Sequence, residues 1–194
     1  MNIEYEATFT NIDKDVIRQK LFAVGAQMIR AEFLQKRTVF RLPKENQIKG
    51  GWLRVRDEGN RITMSLKVVD GDRIQDQKET QLVVDSFDEA RNFLVQIGCE
   101  EKAYQESRRE LWQMDGADIT IDEWPFLEPF VEIESQSEEQ VRAVTEKIGF
   151  DYNLAKFCAV DSLYQEKYNV SLDRINNHTS KILFEMDNPF ILKE

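Results

Sequence analysis

The sequence predicts an α+β fold: an antiparallel sheet curled so that its polar faces line a lumen, with helices packed outside. Six short segments alternate polar and apolar side chains strictly, the period of strands with two unlike faces. Three further segments carry helical periodicity, with a capping residue in front and a glycine behind. The polar strand faces hold carboxylates together with Arg and Lys and few neutral fillers, and curling gathers those charges in one place. Alternation by itself is equally the pattern of a half-buried sheet whose polar face meets water. The mixed charges, and three helices able to cover the apolar face, favour the lumen.

Taken in chain order, Ile3 to Phe9 puts Glu4, Glu6 and Thr8 on one face and Ile3, Tyr5, Ala7 and Phe9 on the other. A helix follows from Asp13, which caps it, to Val24; Val16, Ile17, Leu21 and Val24 line one face, and Gly25 supplies the left-handed residue that ends it. Pro43 to Gln47 reads as a surface turn and Gly50-Gly51 as a hairpin bend. Trp52 to Arg56 then has Arg54 and Arg56 as its polar parity, and Ile62 to Val68 sets Thr63, Ser65 and Lys67 against Ile62, Met64, Leu66 and Val68. Asp70-Gly71-Asp72 is a turn without calcium-loop spacing. Glu79 and Gln81 oppose Thr80, Leu82 and Val84.

The second helix opens on Ser86-Phe87-Asp88-Glu89, a capping-box spacing, and is expected to bury Ala90, Phe93, Leu94 and Ile97 before Gly98. A strand of ambiguous parity runs from Arg108 to Gln113. Asp118, Thr120 and Asp122 then oppose Ala117, Ile119 and Ile121, and Glu132 and Glu134 oppose Val131 and Ile133. The third helix has Ser137 as cap, Val141, Val144 and Ile148 inward, and Gly149 after it. A fourth helical stretch is expected from Leu154 to Tyr168. The tail Lys181 to Glu194 holds too many apolar residues for a free tail, and is expected to pack on the sheet or on a second subunit of a homodimer.

Composition limits the functions open to this chain. At 194 residues it is one large domain or two small ones sharing a core. A hydrophobic share of 41%, with twelve Phe, fills a core and excludes intrinsic disorder. The net charge of −10 argues against nucleic acid and against anionic membranes as partners. No apolar run approaches the roughly 18 residues of a membrane helix, and Met-Asn-Ile-Glu-Tyr-Glu is no signal peptide, so a cytoplasmic location is expected. Cys99 and Cys158, the two cysteines, read as ordinary buried thiols. His178 lies in a polar stretch and reads as a solvated loop residue, and Phe33, Trp52 and Trp112 read as core aromatics.

If the polar faces converge, the lumen holds Glu4, Glu6, Glu79, Asp122, Glu132 and Glu134 with Arg54, Arg56, Lys67 and Arg109. So many buried charges of both signs are more easily explained by a ligand that itself carries both signs than by mutual salt bridges. A polyphosphate with divalent metals is such a ligand: guanidinium forks match phosphate oxygens, and clustered carboxylates hold Mg²⁺ or Mn²⁺. Glu4-x-Glu6 and Glu132-x-Glu134 each place two carboxylates on one strand face. Either pair alone is commonplace in an acidic protein; their joint occurrence on successive alternating strands is specific.

Glu4-Tyr5-Glu6, Leu53-Arg54-Val55-Arg56, Ser65-Leu66-Lys67, the Glu79 strand, Arg109 before Trp112, and Ile121-Asp122 leading to Phe130-Val131-Glu132-Ile133-Glu134 together resemble the CYTH superfamily, the triphosphate tunnel metalloenzymes. The ordered match runs from residue 3 to about residue 168. The resemblance implies a closed antiparallel eight-stranded β-barrel around a triphosphate tunnel, a CYTH-like domain over residues 1–170 and a C-terminal extension over 171–194. It implies that Arg54, Arg56, Lys67 and Arg109 bind a triphosphate-containing small molecule. It further implies that Glu4, Glu6, Asp122, Glu132 and Glu134, supported by Glu79, hold Mg²⁺ or Mn²⁺, with Glu4, Glu6 and Lys67 as the catalytic set. Hydrolysis of inorganic triphosphate, thiamine triphosphate or a nucleoside triphosphate is the activity expected. The alternatives are an adenylyl cyclase of class IV releasing pyrophosphate, a nucleotide or polyphosphate binder without turnover, and a structural protein. This chain departs from the family's E-x-E-x-K motif at Thr8, and from a common lysine at Ser107. Arg37 is expected to restore the missing charge and join the substrate-binding set.

Overall fold

Side chains that alternate in sequence find their partners across antiparallel ladders. The computed structural model describes residues 1–191. Its strands are β1 (Asn2–Ile3), β2 (Tyr5–Phe9), β3 (Gln27–Arg41), β4 (Gly51–Asp57), β5 (Ile62–Val69), β6 (Gln77–Val84), β7 (Glu100–Met114), β8 (Ala117–Glu123), β9 (Phe130–Ser135) and β10 (Lys181–Ile182). Helices α1 (Lys14–Ala23), α2 (Phe87–Gln96), α3 (Glu138–Ile148), α4 (Val160–Tyr168) and α5 (Leu172–Asn177) lie outside the sheet. The strand order is β1-β6-β5-β4-β3-β7-β8-β9-β2, antiparallel throughout, with β10 added in parallel to β7.

The ring closes through the amino-terminal segment, which changes partner at Glu4. Asn2 opposes Glu79 on β6, whereas Glu6 opposes Glu134 on β9. At the break the Glu4 N–H donates to the Gln77 carbonyl at 3.0 Å and the Gln77 side-chain amide donates to the Glu6 carbonyl at 2.8 Å. One expected strand is therefore two, and the barrel has nine strands on its path instead of eight. Closure removes the exposed edges that an open sheet would present.

Much of the outward parity is apolar, and helices cover part of it while Ile3, Leu34 and Leu82 stay exposed. Ile17 and Leu21 of α1 and Val141, Val144 and Ile148 of α3 pack on Ala7, Phe9, Trp112, Ile119, Ile121, Val131 and Ile133 in the largest core. Both helices begin as the sequence predicts: Asp13 accepts from the Val16 N–H at 3.0 Å, and Ser137 Oγ accepts from the Gln140 N–H at 3.3 Å. Gly149 closes α3 at φ 87°, a conformation costly for any residue with a Cβ. Helix α2 covers Phe40 and Val55 with Ala90 and Leu94. A third core joins Trp124 and Phe130 to Leu163, Tyr164, Ile175, Ile182 and Phe190, so described residues of the carboxyl-terminal segment pack on the barrel.

Several expectations are corrected. Phe93 of α2, Ile97 at its carboxyl-terminal cap and Val16 of α1 are exposed, because each helix meets the sheet along a narrower stripe than its apolar pattern allows. The fourth helix starts at Val160, not Leu154: residues 152–154 form a 3₁₀ turn, and Lys156 exchanges two backbone hydrogen bonds with Thr8 at 2.9 Å. Tertiary pairing there takes the N–H and C=O groups that a helix would have used. Strand β3 runs 15 residues, and the expected 108–113 strand is the second half of the 15-residue β7. Helix α5 forms from a segment with weak periodicity. Cys99 is buried, while Cys158 is only partly so. The part of the tail reading that concerns residues 192–194 lies outside the described residues.

Candidate functional site: a charged tunnel

The inward parity of these strands encloses a cavity of about 400 Å³ that runs through the barrel. Register brings its walls together. Trp52, Lys67 and Glu79 stand side by side on β4, β5 and β6; Arg37 opposes Arg56 on β3 and β4; Phe33 opposes Arg109, which opposes Asp122; and Thr120 opposes Glu132. Of the eleven residues expected in the site, Glu4, Glu6, Arg37, Arg54, Arg56, Lys67, Glu79, Arg109, Glu132 and Glu134 line this cavity. Asp122 does not. It is fully buried behind Arg109, which it binds through both carboxylate oxygens at 2.8 and 2.9 Å, and it accepts from Thr120 Oγ1 at 2.6 Å.

The cations form one cluster. Arg54 pairs with Glu79 at 3.1 Å, Arg56 with Glu58 at 2.6 Å, and Arg109 with Glu132 at 2.6 Å as well as with Asp122. Arg37 differs from these: among the described residues it forms no ion pair. Its guanidinium donates to Gln35 at 2.8 Å and to Ser107, and lies over the Trp124 ring with its carbon 4.3 Å from the centroid. Burial, then the neighbouring Arg56, Arg54 and Arg109, hold the Arg37 guanidinium well below its ordinary range; burial and Arg54 bring Arg56 down to about 9. Among the described residues, the buried Nε–H groups of Arg37, Arg54 and Arg56 find no acceptor. Buried orphan donors on crowded cations mark a place for an anion.

The acids cluster beside them. Carboxylate oxygens of Glu4, Glu6 and Glu134 lie within 4.8 Å of one another. Lys67 binds Glu4 at 2.8 Å and is their nearest cation. It does not neutralise the group: burial, then Glu132 and Glu4, push the Glu6 carboxyl well above its ordinary range, and burial with Glu4 pushes Glu134 up to about 7. Three hard oxygen donors short of positive charge fit Mg²⁺ or Mn²⁺. Glu79 stands apart. Burial would raise it, but Lys67 and Arg54 overcome that and pull it down to about 2, so it serves cations as a fixed anion. Of the six carboxylates expected around metal, three therefore converge, while Glu79, Asp122 and Glu132 hold arginines.

Other residues of the site escape the sequence reading. Phe33 and Trp52 line the tunnel instead of the core, unlike Trp112, which is core; Cys158 also lines it. Glu58 and Gln35 share the inward parity of Arg56 and Arg37, and extending each alternation by one step finds them. Trp124 has no local signal, since it lies in the loop after β8. Thr8 is buried, and Lys156 beside it turns its ammonium to Glu166. Arg37 lies within the arginine cluster and donates to the small Ser107. His178 is exposed and pairs with Asp173, a loop residue as expected.

Comparisons with known proteins agree with this fold. The CYTH domain family model matches residues 2–162. No curated protein matches the sequence significantly. Among solved structures, a candidate adenylate cyclase from Vibrio parahaemolyticus superposes with a TM-score of 0.73 at 12% identity, covering 84% of this chain and 97% of that one. A conserved hypothetical protein from Pyrococcus furiosus gives 0.67 at 17% identity over 80% and 96% of the two chains. A Hippeastrum candidate adenylyl cyclase described as having a dominant triphosphatase activity gives 0.53 at 14% identity over 88% and 99%. At these identities the likeness is one of fold. No helix among the described residues is long and apolar enough to cross a membrane.

Proposed function

The chain belongs to the CYTH family, and on that premise we propose that it is a divalent-metal-dependent enzyme that binds a triphosphate in its tunnel and hydrolyses it. One observation carries the reading: three buried, acceptorless guanidinium donors stand beside three crowded, under-neutralised carboxylates. A triphosphate with its metal satisfies both at once. That the Hippeastrum protein, with the same fold, has triphosphatase activity supports hydrolysis over cyclisation.

Glu4, Glu6 and Glu134 would hold Mg²⁺ or Mn²⁺. Such an ion, when bound, supplies charge neutralisation at the phosphoryl oxygens and makes water more acidic. Arg37, Arg54, Arg56 and Arg109 take the remaining phosphate oxygens, each preset by a partner: Trp124 and Gln35 hold Arg37, Glu79 holds Arg54, Glu58 holds Arg56, and Asp122 with Glu132 holds Arg109. Preset donors stabilise charge developing on the phosphoryl group without reorganising during the reaction. Lys67, tied to Glu4, sits where the acids meet the arginines and balances charge on the transferred group. Glu6, in the carboxylate cluster beside the arginines, would accept the proton of the attacking water on a carboxylate oxygen. The water oxygen bonds to phosphorus, the phosphoanhydride bond breaks, and the shortened phosphate chain stays on the arginines.

The test is incubation with inorganic triphosphate, ATP and thiamine triphosphate, each with Mg²⁺ or Mn²⁺, resolving phosphate, pyrophosphate and cyclic AMP. Phosphate release is expected. Cyclic AMP with equimolar pyrophosphate would make the protein a cyclase, and metal-dependent binding with no product would make it a receptor.

A further inference from the structure

The loop between β8 and β9 reaches the tunnel through Trp124, and it is held in a conformation that its sequence disfavours. The Leu127 N–H donates to the Trp124 carbonyl at 3.2 Å, closing a four-residue turn with Pro125 and Phe126 at its two corners. Phe126 has a φ of 69°. That corner of a turn, when its φ is positive, belongs to glycine or asparagine, and a bulky residue there is strained. With a negative φ the same four residues make the common type I turn, in which the peptide between Pro125 and Phe126 is turned over.

Helix α4 holds the disfavoured form. Tyr164, Lys167 and Tyr168 share one face of that helix. The Tyr164 hydroxyl donates to the Pro125 carbonyl at 2.8 Å, the Tyr168 hydroxyl donates to the Phe126 carbonyl at 2.5 Å, and Lys167 pairs with Glu128 at 2.7 Å. Asn188 in turn donates to the Tyr168 oxygen at 3.0 Å. Tyr164 is fully buried, and burial holds its hydroxyl well above its ordinary range, so it stays protonated and donating. Turning the peptide over would part this hydroxyl from the Pro125 carbonyl inside a core, which offsets the strain at Phe126.

The turn bears on the site through Trp124, whose ring lies against the Arg37 guanidinium with its carbon 4.3 Å from the centroid. Arg37 is repelled by Arg56, Arg54 and Arg109, and the ring gives it a surface to rest on. The two forms of the turn are discrete arrangements, the kind of element that carries an effect from one place to another.

We propose that Tyr164 and Tyr168 are positioning residues of the tunnel: by holding the turn from Trp124 to Leu127 in its strained form, their hydroxyls fix Trp124, and through it Arg37, for the phosphates. The inference rests on the triphosphate reading of the tunnel. Both hydroxyls act on the turn and neither acts on the ligand.

Relief of the strain supplies the test. Calorimetric titration with inorganic triphosphate in Mg²⁺ compares wild type, Tyr164→Phe, Tyr168→Phe, each of these combined with Phe126→Gly, and Arg54→Ala, with melting temperatures recorded alongside. Each tyrosine variant should weaken binding about fivefold, the scale of one net hydrogen bond. Glycine takes a φ of 69° without strain, so adding Phe126→Gly should bring affinity back to within about twofold of wild type. It should do so even though losing the Phe126 side chain from the core lowers the melting temperature. A merely structural role predicts the reverse, destabilisation that accumulates with no recovery of affinity. Wild-type affinity in both tyrosine variants, or combined variants that bind no better than the single ones, overturns the positioning role and leaves the tunnel standing. Unchanged binding by Arg54→Ala overturns the tunnel reading itself.

Discussion

Arg37 concentrates the logic of the site in one residue. A buried guanidinium without a carboxylate, repelled by three other arginines, is unfavourable in the free protein and becomes favourable when an anion arrives. Replacing it should therefore separate stability from binding. Arg37→Gln is expected to melt no lower than wild type without ligand, yet to bind inorganic triphosphate at least about tenfold more weakly, a loss of about 1.4 kcal/mol or more. A variant that lost stability but kept its affinity would show the guanidinium to be a packing element. Glu134 gives the complementary pH signature. Its folded value near 7 exceeds its ordinary 4.5, so its contribution to stability is full below about 4.5 and is lost as pH rises to about 7. Metal-free protein should accordingly become less stable over that window, and Glu134→Gln should flatten the slope. Because protons and dications compete for the same oxygens, stabilisation by Mg²⁺ should grow over the same window in wild type only. Thermal melting across pH 4 to 8, with and without Mg²⁺, reads both effects.

At the scale of elements, the site sits where the amino-terminal strand breaks. Glu4 is the residue at which the chain leaves β6 for β9, and Gln77 ties the two halves together. Gln77→Leu removes the amide that donates to the partly buried Glu6 carbonyl, at a cost of about 1 kcal/mol, and loosens the carboxylate cluster. Mg²⁺ affinity should fall together with melting temperature. In the outer layer the effect should be on stability alone: Leu21→Ala, in the main core, is expected to cost about 2–5 kcal/mol with unchanged KM. The strands and capped helices were legible because their signals are local. Alternation shows parity, and Asp13, Ser86 and Ser137 show where helices start. The break at Glu4, the late start of α4 and the existence of α5 were not legible. Each depends on hydrogen bonds to distant residues, such as Lys156 to Thr8.

Across the whole molecule, a chain of net charge −10 gathers Arg37, Arg54, Arg56, Lys67 and Arg109 around one tunnel. Composition speaks for the outer surface and is silent about this interior, whereas alternation reveals it. That is why Arg54, Arg56, Lys67, Glu132 and Glu134 could be named from sequence. Trp124 could not, since it reaches the cavity from the loop after β8, and neither could Asp161 and Asn176, which reach it only because the carboxyl-terminal segment folds back over β7. The division of labour among carboxylates was also hidden. Parity placed six on the inner face, and only three-dimensional spacing shows that Glu4, Glu6 and Glu134 converge while the others anchor arginines. The central claim is that this tunnel takes a triphosphate and a divalent ion as one ligand. Calorimetric titration of the protein with inorganic triphosphate, in Mg²⁺ and again in chelator, tests it most directly. The account predicts one site per chain, filled in Mg²⁺ and lost in chelator and in Arg54→Ala; equal binding with and without Mg²⁺, or by Arg54→Ala, would contradict it.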